Sequence, residues 1–189
     1  MNARGPAPNV PHIARLRVED FLLLNDSGAF EHYAKTELIE GEILCVNAQY
    51  SRHARVQSAL LVRIANALAA AGSELQALVE VSVRLSDESM PQPDIVLTDH
   101  RGDGPVPLES VALLVEISDT TLKIDLVRKA MLYSRAGIPE YWVVDVLERR
   151  VLLHMLPDDD GYAEQIDVPF GARIFAGTIE ELTLETGGL

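Results

Sequence analysis

Hydrophobic and polar positions follow two different periods along this chain. From Ser51 onward, Val56, Leu60, Ile64, Ala67, Leu68 and Ala71 recur at helical spacing and stop at Gly72, predicting a long amphipathic helix. A shorter helix is predicted over Val18 to Leu24, closed by Asn25-Asp26-Ser27-Gly28. Period two dominates elsewhere. Thr36 to Ile39 and Glu42 to Val46 flank Glu40-Gly41, a connection that favours a tight β-hairpin. Val79, Val81, Val83 and Leu85 alternate with Glu80, Ser82 and Arg84, predicting a half-buried strand, and Asp94 to Thr98 predicts the next one.

After an Asp-, Gly- and Pro-rich loop from Asp99 to Pro107 comes the most informative stretch. Val111 to Ser118 reads as an apolar strand, Thr120 to Ala136 as a helix stopped by Gly137 and Pro139, and Tyr141 to Val146 as a strand. A strand, helix, strand unit joins parallel strands through a right-handed crossover, so the class is α/β. Val151 to Leu156 is expected to pair with Tyr141 to Val146 through Leu147-Glu148-Arg149-Arg150. Residues 1–17 carry Gly5-Pro6-Ala7-Pro8 and Pro11 and are expected to form a flexible lead-in. Residues 18–189 are then one domain.

Composition supports that division. With 189 residues, 48% of them hydrophobic and 24% charged, the chain has the size and balance of one globular domain. Folding at this length buries roughly 70% of the unfolded surface, enough for a core without disulfides. Cys45 is the lone cysteine, no signal-peptide pattern is present, and apolar stretches such as Val111 to Val115 are far too short to span a bilayer. A cytoplasmic protein without a membrane segment is expected. The formal net charge of −13, from 29 acidic and 16 basic residues, opposes nonspecific binding to a phosphate backbone. Bound divalent cations and a local basic strip can offset that field.

Two carboxylates stand out. Glu116 interrupts Leu113-Leu114-Val115 and Ile117, which places a charge inside an apolar strand, with Ser118 on the same face. Such a charge needs a cation, a basic partner or a raised pKa; an exposed strand end would be the simpler setting. Asp94 follows Pro91-Gln92-Pro93 and opens a short strand, where a turn role is equally natural. Mg²⁺ takes one or two carboxylates plus water and phosphate oxygens, and Asp94 with Glu116 meets that need. Mn²⁺ could substitute. Trp142 and Tyr141 are expected to pack the core rather than to stack on bases.

Glu40-Gly41-Glu42, His53, Pro93-Asp94-Ile95-Val96, Val115-Glu116-Ile117-Ser118, Asp125 to Lys129, and Gly137 through Asp145 together resemble the Uma-type endonucleases of the PD-(D/E)XK nuclease superfamily. The resemblance runs from about Glu37 to Asp145. It implies a restriction-endonuclease-like core, a mixed sheet flanked by helices, and a metal-dependent nuclease ancestry. The superfamily pattern places a lysine two residues after the glutamate, where this chain has Ser118. In the family it resembles, a lysine on the following helix takes over, and Lys129 matches that position, with Lys123 in reserve. An exposed i, i+4 pair with Asp125 is the alternative role for Lys129. His53 matches a family histidine and is expected to face the cleft, although a surface residue near a helix start has the same look. Glu42 could add a carboxylate or be an exposed hairpin residue.

The expected activity is Mg²⁺-dependent hydrolysis of DNA phosphodiester bonds, with Asp94 and Glu116 as metal ligands and Lys129 as the cationic catalyst. Two other readings stay open. One is a catalytically inactive nuclease-fold protein that binds nucleic acid or serves as a scaffold, motivated by Ser118 and the acidic charge. The other is a small phosphate substrate, since fold does not fix function. DNA sequence preference and oligomeric state, a homodimer included, are left open by the sequence.

Overall fold

The computed structural model describes residues 13–46, 50–180 and 182–189. The part of the expected lead-in at 1–12 lies outside the described residues. Residues 13–17 have neither helix nor strand. They are nevertheless held, since the Leu16 N–H donates to the Gly41 carbonyl at 3.0 Å and Arg15 pairs with Glu42 at 3.0 Å.

Helix α1, Val18–Asp26, buries Val18 and Phe21 against Leu38 and Met90. Strands β1, Lys35–Ile39, and β2, Glu42–Val46, form the expected hairpin, with Ile39 paired to Glu42. Its two turn residues, Glu40 and Gly41, have φ of 51° and 76°. Positive φ at both positions matches the turn twist to that of the strands. Gly41 is also sterically required, because a Cβ there would sit 2.6 Å from Arg15 Cβ.

Helix α2, Ser51–Ala71, buries His53, Val56, Leu60, Ile64 and Leu68 on one face. It stops at Gly72, whose left-handed backbone lets its N–H reach the carbonyls of Ala69 and Leu68. Strands β3, Gln76–Val79, β4, Val83–Arg84, β5, Ile95–Thr98, and β6, Val106–Pro107, follow. Next come a 3-10 turn at Leu108–Ser110 and strand β7, Val111–Ser118. A π-helical turn, Ile124–Lys129, runs directly into helix α3, Ala130–Arg135. The chain closes with β8, Glu140–Asp145, β9, Arg150–Asp158, β10, Gly161–Pro169, β11, Arg173–Phe175, and β12, Thr183–Glu185.

The main sheet has the order β10-β9-β8-β7-β5-β3. Only β7 and β8 run parallel, as the strand, helix, strand reading requires; β8 and β9 pair antiparallel as expected. Leu113, Val115 and Ile117 of β7 pack with Trp142 and Val144 of β8 against Leu60 and Ile64 of α2. On the opposite face Leu114, Tyr141 and Val143 pack with Tyr133 of α3. Covering both faces is why β7 and β8 read as continuous apolar runs. Tyr141 and Trp142 are fully buried, in line with a packing role.

One expected strand is corrected. Val79 to Leu85 is not continuous, because Glu80 has φ 50° and turns the chain out of the sheet after Val79. Val83 and Arg84 instead pair in parallel with Val106 and Pro107. Val83 and Leu85 stay buried while Val79 is exposed, so the alternation reported burial correctly only in its second half and strand continuity incorrectly.

Glu140 shows how the C-terminal segment is pinned. Its fully buried carboxylate accepts hydrogen bonds from Trp142 Nε1 at 2.6 Å, the Gly177 N–H at 3.1 Å, and the Thr178 N–H and Oγ1 at 2.8 and 2.7 Å. Glu140→Ala strands several buried donors, each costing about 1–3 kcal/mol. Urea unfolding should therefore show a loss on the order of 3–5 kcal/mol. A loss below about 1 kcal/mol would show that water replaces the carboxylate there.

Candidate active site

Sheet register brings the two carboxylates together. Ile95 faces Val115 and Val96 faces Leu114 in the antiparallel β5–β7 pair, so one further step sets Asp94 across from Glu116. Like charges directly opposite in a sheet repel, and both residues are buried, at 2% and 3% exposure. Positive charge or a proton must compensate. Glu80 leaves β3 at this level, and its N–H donates to the Asp94 carbonyl at 3.3 Å.

Asp94 is held as a carboxylate. Its Oδ2 accepts the Ile117 N–H at 2.7 Å and lies 3.2 Å from His53 Nε2, while Oδ1 lies 3.4 Å from Lys35 Nζ. Burial alone would raise its pKa, but His53, Lys35 and the Ile117 N–H outweigh it and hold the group down at about 2. Because β5 starts at Ile95, the Asp94 side chain reaches the β7 N–H just past the last paired strand residue.

Glu116 sits in the opposite situation. Burial pushes its pKa upward, Lys129 and Lys35 pull it down, and Asp94 pushes it up again. Lys129 Nζ donates to Glu116 Oε1 at 2.8 Å and to Glu37 Oε1 at 2.9 Å, and Tyr133 OH donates to the same Glu116 oxygen at 2.9 Å. Burial would lower the Lys129 pKa, yet Glu116, Glu37 and Asp125 hold it above its ordinary value. An ammonium in contact with two carboxylates stays charged, so we read the group as a buried ion cluster with a charged lysine.

Lys129 reaches this place because of the π turn. The widened turn directs both Asp125 and Lys129 into the interior, and such insertions recur at functional sites. Asp125 Oδ2 accepts hydrogen bonds from Ser118 Oγ at 2.9 Å and Thr121 Oγ1 at 2.6 Å. Ser118, in the place of the superfamily lysine, therefore anchors the turn that delivers Lys129. The alternative of an exposed Asp125–Lys129 surface pair is set aside, since both residues are buried and the ion pairs of Lys129 are with Glu37 and Glu116.

Four of the five expected site residues, Asp94, Glu116, Lys129 and His53, line one cleft of about 110 Å³. Glu42 does not join them. It lies on the exposed hairpin, paired with Arg128 at 2.7 Å and Arg15 at 3.0 Å, and Glu37 of the neighbouring strand supplies the inward carboxylate instead. The reserve lysine, Lys123, is exposed outside the cleft. Lys35, Glu37, Asp125 and Tyr133 were not singled out as site residues from the sequence. Glu37 lies in the expected strand from Thr36 to Ile39 and Lys35 one residue before it; the observed strand begins at Lys35, and period two puts the two on the same face.

The donor set suits a hard cation that keeps most of its water. Among the described residues no group of three or more His, Cys, Asp or Glu side chains is arranged to hold a metal. A closed zinc site needs such a group, whereas Mg²⁺ is commonly bound through one or two carboxylates.

The mixed six-stranded sheet, helices on both faces and acidic pair on adjacent strands define the class, an α/β protein with a restriction-endonuclease-like core. The chain belongs to the Uma2 family, described as "Putative restriction endonuclease", whose sequence profile matches residues 18–186. A crystal structure described as a "putative nuclease" belonging to DUF820, from Anabaena variabilis, shares the fold. It superposes with a TM-score of 0.67 at 18% identity, covering 90% of this chain and 95% of that one. No curated protein matches the chain. Among the described residues no helix is long and apolar enough to cross a membrane.

Proposed function

We propose that this protein is a divalent-cation-dependent endonuclease that hydrolyses phosphodiester bonds in DNA. The observation that carries the reading is the convergence of Asp94, Glu116 and a buried, charged Lys129 in one cleft. Family membership supports nuclease chemistry, and the charge arrangement supports its dependence on a cation.

Asp94 and Glu116 would hold Mg²⁺, with Mn²⁺ as a substitute. A cation held there would supply Lewis-acid chemistry, favouring deprotonation of the attacking water and offsetting charge on the phosphate. The chain's own residues do the rest. Tyr133 and Lys129 fix the Glu116 carboxylate through Oε1, and the Ile117 N–H and His53 fix Asp94 through Oδ2, so neither carboxylate has to reorganise during the reaction. Lys129 places a permanent positive charge beside the scissile group, where it stabilises the extra negative charge of the transition state. Lys35, 3.4 Å from Asp94 Oδ1 and largely buried, adds a second cation on the other side of the pair.

The test is nicking and linearisation of supercoiled plasmid DNA. Cleavage is expected with Mg²⁺ or Mn²⁺, and loss of it with chelator. A second reading, a non-catalytic nucleic-acid-binding protein, is favoured by the engagement of Lys129 with two carboxylates at once. DNA binding without cleavage under any divalent cation would select that reading over ours.

A further inference from the structure

The acidic residues of this chain are unevenly placed. None lies between Glu42 and Glu74, in a chain that carries 29 of them, and α2 falls wholly inside that gap. Within α2 the charged side chains are Arg52, Arg55 and Arg63; Arg55 is exposed, Arg52 pairs with Asp119, and half-exposed Arg63 donates to the Glu185 and Gly187 carbonyls at 2.6 and 2.7 Å. They lie within one helical stripe, and Arg52 to Arg63 spans about 16 Å. Arg149, from the β8–β9 turn, joins them beside Phe170, with its guanidinium 5.2 Å from the ring centre.

This stripe is continuous with the cleft. Tyr50, 66% exposed, lines the cleft and lies 5.6 Å beneath the Arg52 guanidinium. Arg52 Nε bonds Asp119, another cleft residue, at 2.5 Å and also lines a groove shared with Arg55 and Arg149. Arg55 in turn lines a second, shallower groove ending at Arg63. Among the described residues no Asp or Glu side chain lines either groove.

We infer that the arginine stripe of α2, extended by Arg149, is the track along which a DNA backbone lies as it leaves the catalytic cleft. The inference rests on the nuclease reading above and adds where the substrate runs. Charge complementarity argues for a polyanion: among the described residues Arg55, Arg63 and Arg149 form no ion pair with a carboxylate, Arg52 being offset by Asp119, so the track carries local positive charge on a chain of net charge −13. Length argues for several consecutive phosphates, because about 16 Å matches roughly five nucleotides along one strand of a duplex. Exposed Tyr50 sits at the cleft end of the track, where an aromatic face can take a base.

The experiment compares the full chain with Arg55→Ala/Arg149→Ala, and uses Arg84→Ala as an arginine change elsewhere on the surface. Binding of a labelled 20-base-pair DNA duplex is measured against salt concentration in a Glu116→Gln background, and steady-state cleavage is measured in the native background. The double variant should lower the slope of log affinity against log salt by about two. It should raise the KM for DNA on the order of tenfold with kcat within about twofold, while Arg84→Ala changes neither. Native protein that cleaves DNA with Mg²⁺, beside a double variant with unchanged slope and KM, overturns the track and leaves the nuclease reading standing. If the double variant loses affinity for RNA of the same sequence but not for DNA, the assignment of the track to DNA fails. Native protein that neither binds nor cleaves DNA defeats both.

Discussion

Replacing Lys129 by Met is expected to be the most damaging single change at this site, in stability as well as activity. The ammonium is 4% exposed and bonded to Glu37 and Glu116, so its removal leaves two buried carboxylates facing each other beside Asp94. Breaking a buried ion pair from one side costs about 3–5 kcal/mol. For a domain of this size each kcal/mol shifts Tm by about 2–4 °C, so the midpoint should fall by roughly 6–20 °C. Adding Glu37→Gln to the same chain removes one stranded charge and should recover a good part of that loss. Cleavage should not recover with it, because the Lys129 ammonium is still missing from beside the scissile phosphate; the deficit should be on the order of 10²–10³-fold. Thermal unfolding with plasmid cleavage separates the two effects. A single variant as stable as the native chain would mean that Lys129 is not charged in the folded protein.

The second large effect runs the other way, with activity lost and stability kept. Glu116→Gln preserves shape and an acceptor for Tyr133 and Lys129, and it removes a charge that burial already disfavours. Lys129 keeps its bond to Glu37, so Tm should stay within a few degrees of the native value. Catalysis should fall by about 10³-fold or more, since several kcal/mol of transition-state stabilisation by a cation is forfeited at 1.36 kcal/mol per tenfold. Asp94→Asn should lose as much activity and more stability, because the amide meets Lys35 and His53 without a negative charge. Native-like cleavage by Glu116→Gln would remove Glu116 from the chemistry.

Much of this arrangement is legible in the sequence because burial leaves a periodic trace. Leu60 and Ile64 mark α2, and Leu113 to Ile117 mark a strand covered on both faces; a carboxylate in that run, Glu116, is conspicuous because it is costly there. The pairing partner is less visible. Asp94 is set against Glu116 by the register of β5 on β7, which no single segment encodes. Glu37 was hidden for a related reason: it belongs to a hairpin outside the main sheet and meets Lys129 only in three dimensions. Glu42, three residues past the end of β1 and the first residue of β2, looked eligible too until the turn placed it on the exposed side with Arg15 and Arg128. The π turn at Ile124–Lys129 was read simply as part of a helix, because its extra residue leaves no compositional mark.

The sheet's outer edge was the least legible part. Strand β10 from Gly161 to Pro169 is mostly exposed, and Glu164, Gln165 and Asp167 give it no alternation. Charged residues on an edge strand discourage pairing with other chains, so the feature that protects the edge also erases its pattern. Strand β3 was displaced for the converse reason. Val83 and Leu85 remain buried after the chain has left the sheet at Glu80, and burial alone cannot distinguish the two paths.

The central claim is that Asp94 and Glu116 together hold a divalent cation, and Mn²⁺ binding followed by electron paramagnetic resonance tests it most directly. The native protein should bind Mn²⁺ in competition with Mg²⁺, and both Asp94→Asn and Glu116→Gln should weaken that binding at least tenfold while remaining folded. Unchanged Mn²⁺ affinity in the two folded variants would contradict the account.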